Sequence, residues 1–206
     1  VLEALYCFIS HKDVIDEDIL RISNVCESLN IADYIIVCGG YSENKIKNNL
    51  LQLQCLDSYE GLSDKIYKLF KFLTHDYKKR YDYYIKIDRL TSLIQPIDTA
   101  NIIGDYCGKL LIKKEGNREW HKNKCSINSD WNNRLYEGPY VPWCRGGSGY
   151  FLSNKAAKII GCNAPDLNYH IYEDLYVAET LLKFGIKPKK MPNLKKYLID
   201  PDEGKL

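Results

Sequence analysis

LEALYCFISHKDVIDEDILRISNVCESLNIADYIIVCGG, residues 2–40, decides the fold. The run Leu2–Ser10 is apolar and β-prone, the pattern of a buried strand. Asp13 then stands where a helix cap belongs, because its carboxylate can accept free N–H groups and further acids crowd the next turn. Ile15, Ile19, Ile22 and Leu29 keep helical spacing, which predicts a helix reaching Asn30. The stretch 32–40, ADYIIVCGG, is a second buried strand closed by the Gly39–Gly40 turn signal. Two buried strands joined by an amphipathic helix form a β-α-β unit, and such a unit implies parallel strands.

The same alternation continues outward. LLQLQCL (50–56) predicts a third strand, DYYIKI (82–87) a fourth and YCGKLLIKK (106–114) a fifth. Between them, Leu62, Ile66, Leu69, Phe70 and Leu73 form one apolar helical stripe. A last helix is predicted over Glu173–Phe184, stopped by Gly185 and Pro188. Repeated strand–helix–strand units predict an α/β fold, a largely parallel sheet with helices on both faces. Residues 114–139 break the rhythm: they are polar, include Trp120, His121 and Trp131, and show no period. A stretch of that length and character suggests a functional flap over an acceptor site, with a plain surface excursion as the other reading.

The 206 residues fit one domain of ordinary size, and 45% hydrophobic against 27% charged residues is the balance of a packed core with a wet surface. Disordered, collagen-like and coiled-coil chains are thereby excluded. Twenty-nine basic against 27 acidic side chains leave a net charge of +2, so no broad face for nucleic acid is expected. No apolar run is long enough to span a bilayer. The first residue is Val, not Met, and the chain is expected to be one domain of a longer protein. Cytoplasmic and Golgi-lumenal settings are equally compatible with these features. The eight cysteines occur singly, without a C-x-x-C pair, which disfavours zinc ribbons and thioredoxin-like sites. Cys7, Cys38 and Cys55 lie inside apolar runs and are read as small buried hydrophobes.

In open parallel sheets, ligands bind beyond the carboxyl ends of the strands. Four predicted strand exits fall there: Ser10–His11, Gly39–Gly40, Asp57–Ser58 and Asp88–Arg89. No G-x-x-x-x-G-K-[ST] loop is present, and the one dense glycine cluster, RGGSGYFLS (145–153), does not match G-x-G-x-x-G. It precedes a predicted short strand, Tyr150–Leu152, and a helix from Ser153. Glycines placed there let the backbone approach a ligand closely.

Four blocks resemble one family. DSYEGLSDK (57–65) is similar to the D-S-Y-x-N-L-T-x-K signature of the β-1,3-galactosyltransferase and fringe-type glycosyltransferases. YYIKID (83–88) resembles the strand leading into that family's acidic triplet. YVPWCRGGSGYFLS (140–153) resembles its Y-P-x-Y-x-S-G-G-x-G-Y-V-L-S block, and YEDLYVAETLLKFGI (172–186) its E-D-V-Y helix. The blocks occur in family order. Together they imply a GT-A fold in a single domain, with residues 1 to about 100 as the nucleotide-binding half and about 101–206 as the acceptor and catalytic half. They also imply transfer of a sugar, with inversion, from a UDP-sugar to a hydroxyl of a glycan or glycoprotein.

By that resemblance Asp174 is the general base, with Glu173 beside it in reserve; without it, two acids at a helix start read as N-terminal charge complementarity. Gly146, Gly147 and Gly149 form the floor where donor sugar and acceptor meet, and Trp143 or Tyr150 could stack on a sugar face. Ser10, His11, Asp57, Tyr59, Lys65, Lys86, Asp88 and Arg89 are expected to contact the nucleotide-sugar. The family's triplet places acids at 88–90, whereas this chain has Asp88, Arg89 and Leu90. Its expected divalent cation, Mn²⁺ or Mg²⁺, would then rest on Asp88 alone with water and diphosphate. In a second reading Arg89 or a lysine supplies the missing charge. In a third the site is impaired and the chain is a UDP-sugar- or carbohydrate-binding domain. A retaining transferase on the same fold is a further rival.

Overall fold

Residues 2–113 and 115–202 are described by a computed structural model. Lys114, the last residue of the predicted fifth strand and first of the polar stretch, lies outside them. The chain opens with β1 (Ala4–Ile9), passes through a short 3-10 turn at Lys12–Val14, and enters α1 (Ile15–Ser28). The helix starts two residues beyond Asp13, whose side chain makes no cap, and ends at Ser28, two residues short of the predicted Asn30, which lies past the cap and turns back with φ 55°. Then follow β2 (Tyr34–Cys38), β3 (Lys45–Lys47), β4 (Leu50–Gln52) and α2 (Leu62–Lys71), which runs on into one wide π turn at Phe72–Asp76. Next are β5 (Tyr83–Ile87), β6 (Ser92–Leu93), β7 (Tyr106–Gly108), β8 (Leu110–Leu111) and β9 (Trp143–Cys144). The described chain closes with β10 (Tyr150–Ser153), α3 (Asn154–Cys162), α4 (Glu173–Lys183), β11 (Lys189–Lys190) and β12 (Leu198–Ile199).

Eight strands form the central sheet in the order β11-β7-β10-β5-β1-β2-β4-β3. Pairings β1–β2, β1–β5, β2–β4 and β11–β7 are parallel; β10 runs antiparallel to both β5 and β7, and β3 to β4. The predicted α/β architecture therefore holds, with a mostly parallel sheet in a single domain. Two expectations are refined. The LLQLQCL strand shrinks to β4 and pairs with an unforeseen hairpin partner, β3. The predicted fifth strand splits at Lys109 into β7, in the central sheet, and β8, which leaves it to pair with β9.

Strand alternation sorts the core into two layers. On one face Leu5, Cys7 and Ile9 of β1 meet Ile66, Leu69 and Phe70 of α2, Ala156 and Ile160 of α3, and Leu175 and Leu181 of α4. On the other, Tyr6 and Phe8 meet Ile22 and Cys26 of α1, together with Ile97, Ile102, Tyr197 and Leu198. Phe70 is fully buried, and truncating such a side chain to Ala costs about 3–5 kcal/mol. All eight cysteines are free thiols; five are buried, and Cys162 is exposed.

The turn between β9 and β10 sets up the site. Gly146–Ser148 makes one 3-10 turn and Gly149 follows with φ 76°, a left-handed backbone that glycine adopts at no steric cost. The reversal sends β10 into the sheet against its neighbours, in a register that sets Tyr150 beside Lys86. The glycine turn thus arrives at the edge where the parallel strands end.

Candidate active site

Asp174 and Glu173 open α4, where the unpaired N–H groups of a first turn favour carboxylates. Their surroundings differ. The Glu173 carboxylate accepts from Lys86 Nζ at 2.7 Å and from the Tyr150 hydroxyl at 2.9 Å. Lys86 is fully buried and also meets Asp88 at 2.5 Å and the Gly146 carbonyl at 3.2 Å. This lysine therefore bridges β5, the glycine turn and α4. Burial acts to lower the Lys86 pKa, but the charges of Asp88 and Glu173 override it and hold the ammonium well above its usual range. Burial pushes Glu173 up, with Lys86 opposing.

Asp174 is held by backbone alone. One oxygen accepts the Gly146 N–H at 3.1 Å and the other the Leu175 N–H at 2.9 Å. Burial raises its pKa, and the Gly146 N–H and the Lys86 charge act against that rise. Gly146 fits beside it because a Cβ there would lie 2.3 Å from Glu173 Oε1. With no cation bonded to it among the described residues, Asp174 lines a cavity of about 280 Å³ together with Asp88, Arg145, Gly146 and Gly147. The aromatic wall of that cavity is Tyr59, Trp120, Tyr140, Trp143 and Tyr172.

A second cleft, about 580 Å³, lies over the strand exits and is lined by Ser10, His11, Asp57, Ser58, Lys65 and Arg89. Tyr59, Leu62, Asp88, Lys124, Gly147, Asp200 and Asp202 line both, so the two are adjoining compartments. Sequence reasoning thus gathers its candidates along one continuous surface, but several are fixed by the fold. Asp57 ties the exits together, accepting from Lys12 N, from Gly39 N at 2.9 Å and from Lys65 Nζ at 2.5 Å. Lys65, almost fully buried, also donates to the Ser10 carbonyl at 3.0 Å. The Ser10 hydroxyl donates to buried Asp18 at 2.6 Å. Arg89 donates to the same carboxylate at 3.0 Å and approaches Glu17 at 3.7 Å, so its charge is already matched by α1. Gly149 lines neither compartment and serves the turn instead. Tyr150 is wholly buried with its hydroxyl on Glu173; stacking on a sugar is corrected to a structural role, and Trp143 keeps the cavity position.

The polar stretch is packed rather than loose. His121 is fully buried, its ring nitrogens within 2.9 Å of the Tyr172 hydroxyl and 3.0 Å of the Trp131 carbonyl. That anchor delivers Trp120 and Lys124 to the cavity, with Lys124 Nζ 3.3 Å from the centre of the Trp120 ring. Burial lowers the Lys124 pKa; Asp202 opposes the shift and Arg145 adds to it.

Some contributors escaped the sequence reading. Besides Lys124, Arg145 and the C-terminal pair Asp200 and Asp202 line the cavity. Arg145 Nε lies 3.3 Å from Asp200, whose carboxylate also accepts the Ser148 hydroxyl at 2.8 Å, and Arg145 Nη2 donates to the Asp202 carbonyl at 3.0 Å. An arginine inside a glycine-rich block was the available signal for Arg145; nothing local marks Lys124, Asp200 or Asp202.

The sequence pattern of the galactosyltransferase family matches residues 33–192. The chain belongs to this family. No curated protein matches it. The matched span carries α4, the glycine turn, β5 and the polar stretch, so the acids and glycines described above lie within the galactosyltransferase region. The divalent cation implied by the resemblance does not fit the donors present. Asp88 is paired with Lys86, Arg89 is a cation, and Leu90 offers no oxygen and points to solvent. Among the described residues no three His, Cys, Asp or Glu side chains are grouped to hold a metal.

Proposed function

We propose that the protein transfers a sugar from a UDP-sugar to a hydroxyl of a glycan or glycoprotein, with inversion, and that Asp174 is the general base. Membership of the galactosyltransferase family supports the glycosyltransferase class and makes UDP-galactose the first donor to try. The observation that carries the reading is Asp174 itself: a carboxylate with no salt bridge among the described residues, oriented by two backbone N–H groups, facing a cavity it shares with Gly147 and Asp88.

In this reading the nucleoside lies in the cleft over the strand exits and the sugar in the cavity, with the diphosphate at their junction. The acceptor hydroxyl attacks the anomeric carbon from the Asp174 side. As the new C–O bond forms, the bond from that carbon to the phosphate oxygen breaks, the hydroxyl proton passes to Asp174, and the electron pair leaves on UDP. The transition state is oxocarbenium-like, and the aromatic wall offers faces for the sugar rings. Glu173 is poorly suited to the same task, because Lys86 and Tyr150 occupy its oxygens. It acts instead as a positioning residue: it holds Lys86, which bonds the Gly146 carbonyl, and the Gly146 N–H in turn orients Asp174.

The test is UDP release from a panel of UDP-sugars with β-linked oligosaccharide acceptors, followed by NMR of the product anomer. Acceptor-dependent release and an inverted anomeric centre support the reading. UDP binding without release under any pairing favours a binding domain, and a retained centre favours the retaining rival.

A further inference from the structure

We propose that Arg145, with Lys124 beside it, holds the diphosphate of the donor and takes the place of a divalent cation; this rests on the UDP-sugar reading above. Departure of a diphosphate needs positive charge beside the leaving oxygens. The position that would hold a metal has one acid already paired with Lys86, then an arginine paired with Asp18, then a leucine. The charge must come from elsewhere, and it must lie where the two compartments meet.

Arg145 meets that requirement. It lines the sugar cavity, yet its side chain is only 8% exposed. Asp200 and the Asp202 carbonyl occupy Nε and Nη2, but Nη1 is buried with no hydrogen-bond partner among the described residues. Buried guanidinium donors are almost always satisfied, so an orphan in a ligand cavity marks an acceptor that arrives with the ligand. A phosphate oxygen matches the planar fork of a guanidinium. Lys124 lines both compartments, at the junction where the linking diphosphate would have to lie, and its ammonium is held against the Trp120 ring. Asp200 meets the guanidinium through Nε, keeps it oriented and leaves Nη1 for the phosphate oxygen.

The experiment measures UDP and uridine binding to the wild-type protein by calorimetry, in EDTA and in excess Mn²⁺, and repeats it with Arg145→Gln, Arg145→Lys and Lys124→Ala. Expected is UDP binding in EDTA that Mn²⁺ improves by less than about threefold. Arg145→Gln should weaken UDP at least about tenfold while uridine is unchanged, with Arg145→Lys intermediate. The wild-type arm needs no variant to fold: UDP binding that depends on Mn²⁺ overturns the proposal and leaves the UDP-sugar reading standing. Equal UDP affinity in folded Arg145→Gln overturns it too. Failure of the wild type to bind UDP or uridine in either condition removes the parent reading, and this proposal with it.

Discussion

Lys86→Met is the most informative perturbation of the scaffold. The ammonium is fully buried, 2.5 Å from Asp88 and 2.7 Å from Glu173. Asp88 is about a third exposed and keeps contact with water, whereas Glu173 is buried and would be left without its cation. Breaking a buried pair from one side costs about 3–5 kcal/mol, a large share of the roughly 5–15 kcal/mol that holds a domain folded. At about 2–4 °C per kcal/mol for a domain of this size, the melting temperature should fall by roughly 6–20 °C. The loss should depend on pH with a definite sign. Burial already raises the Glu173 pKa, and removing Lys86 removes what opposes it. A carboxyl whose folded pKa is raised leaves stability intact below its unfolded value, about 4.3, and costs stability as pH climbs through the folded value. Urea unfolding at pH 5 and pH 8, followed by circular dichroism, should therefore show the larger defect at pH 8. Lys86→Met combined with Glu173→Gln should recover part of it, because a neutral pair needs no cation. A single variant within about 1 kcal/mol of wild type at pH 8, or a double variant weaker than the single, would refute the reasoning.

Other predictions follow from neighbouring contacts. Gly146→Ala puts a methyl 2.3 Å from a Glu173 oxygen that cannot retreat, so stability should drop by about 1–3 kcal/mol and transfer should fall with it, read by thermal unfolding and product formation. Arg89→Ala should cost about 1–3 kcal/mol, since it removes a donor to buried Asp18. Burial acts to raise the Asp18 pKa, but Ser10, Arg21 and the Arg89 charge hold it below the ordinary value, so this contribution is present at neutral pH and fades as pH falls through the folded pKa. Urea titrations at pH 3 and pH 7 check it. The acid limb of kcat/KM should lie above the ordinary aspartate value of 3.8, because burial raises Asp174. With an aromatic disulfide reagent under native conditions Cys162 should react first, while Cys26 and Cys38, which burial pushes up to about 12, should wait for unfolding.

The β-α-β reading of residues 2–40 carried through because a buried parallel strand and an amphipathic helix leave unmistakable periods. The short elements did not. β3 is three residues of mixed polarity, and the split at Lys109 is set by which sheet Leu110 can reach, a tertiary choice with no local signature. At the site, the acids at the α4 start were legible only through the blocks that resemble the family, since by type and spacing alone they read as helix N-terminal charges, while the glycine cluster at 146–149 was legible by itself. What the fold does with them was not: Asp174 and Glu173 are adjacent in sequence, yet only the register of Tyr150 against Lys86 separates an available carboxylate from an occupied one. The same holds for Arg89, a candidate for the missing cation on sequence grounds, whose partner Asp18 lies 71 residues away. Asp200 and Asp202 meet the cavity only because β12 pairs with β6 and folds the C-terminal segment back over the glycine turn.

The base assignment is tested most directly by Asp174→Asn, which keeps the size of the side chain and its acceptor to the Gly146 N–H but removes the basic oxygen. Steady-state transfer should fall by about 10²–10⁴-fold at neutral pH while UDP affinity, measured on the same preparation, stays as in the wild type. Transfer by the folded variant at a rate close to wild type would contradict the account.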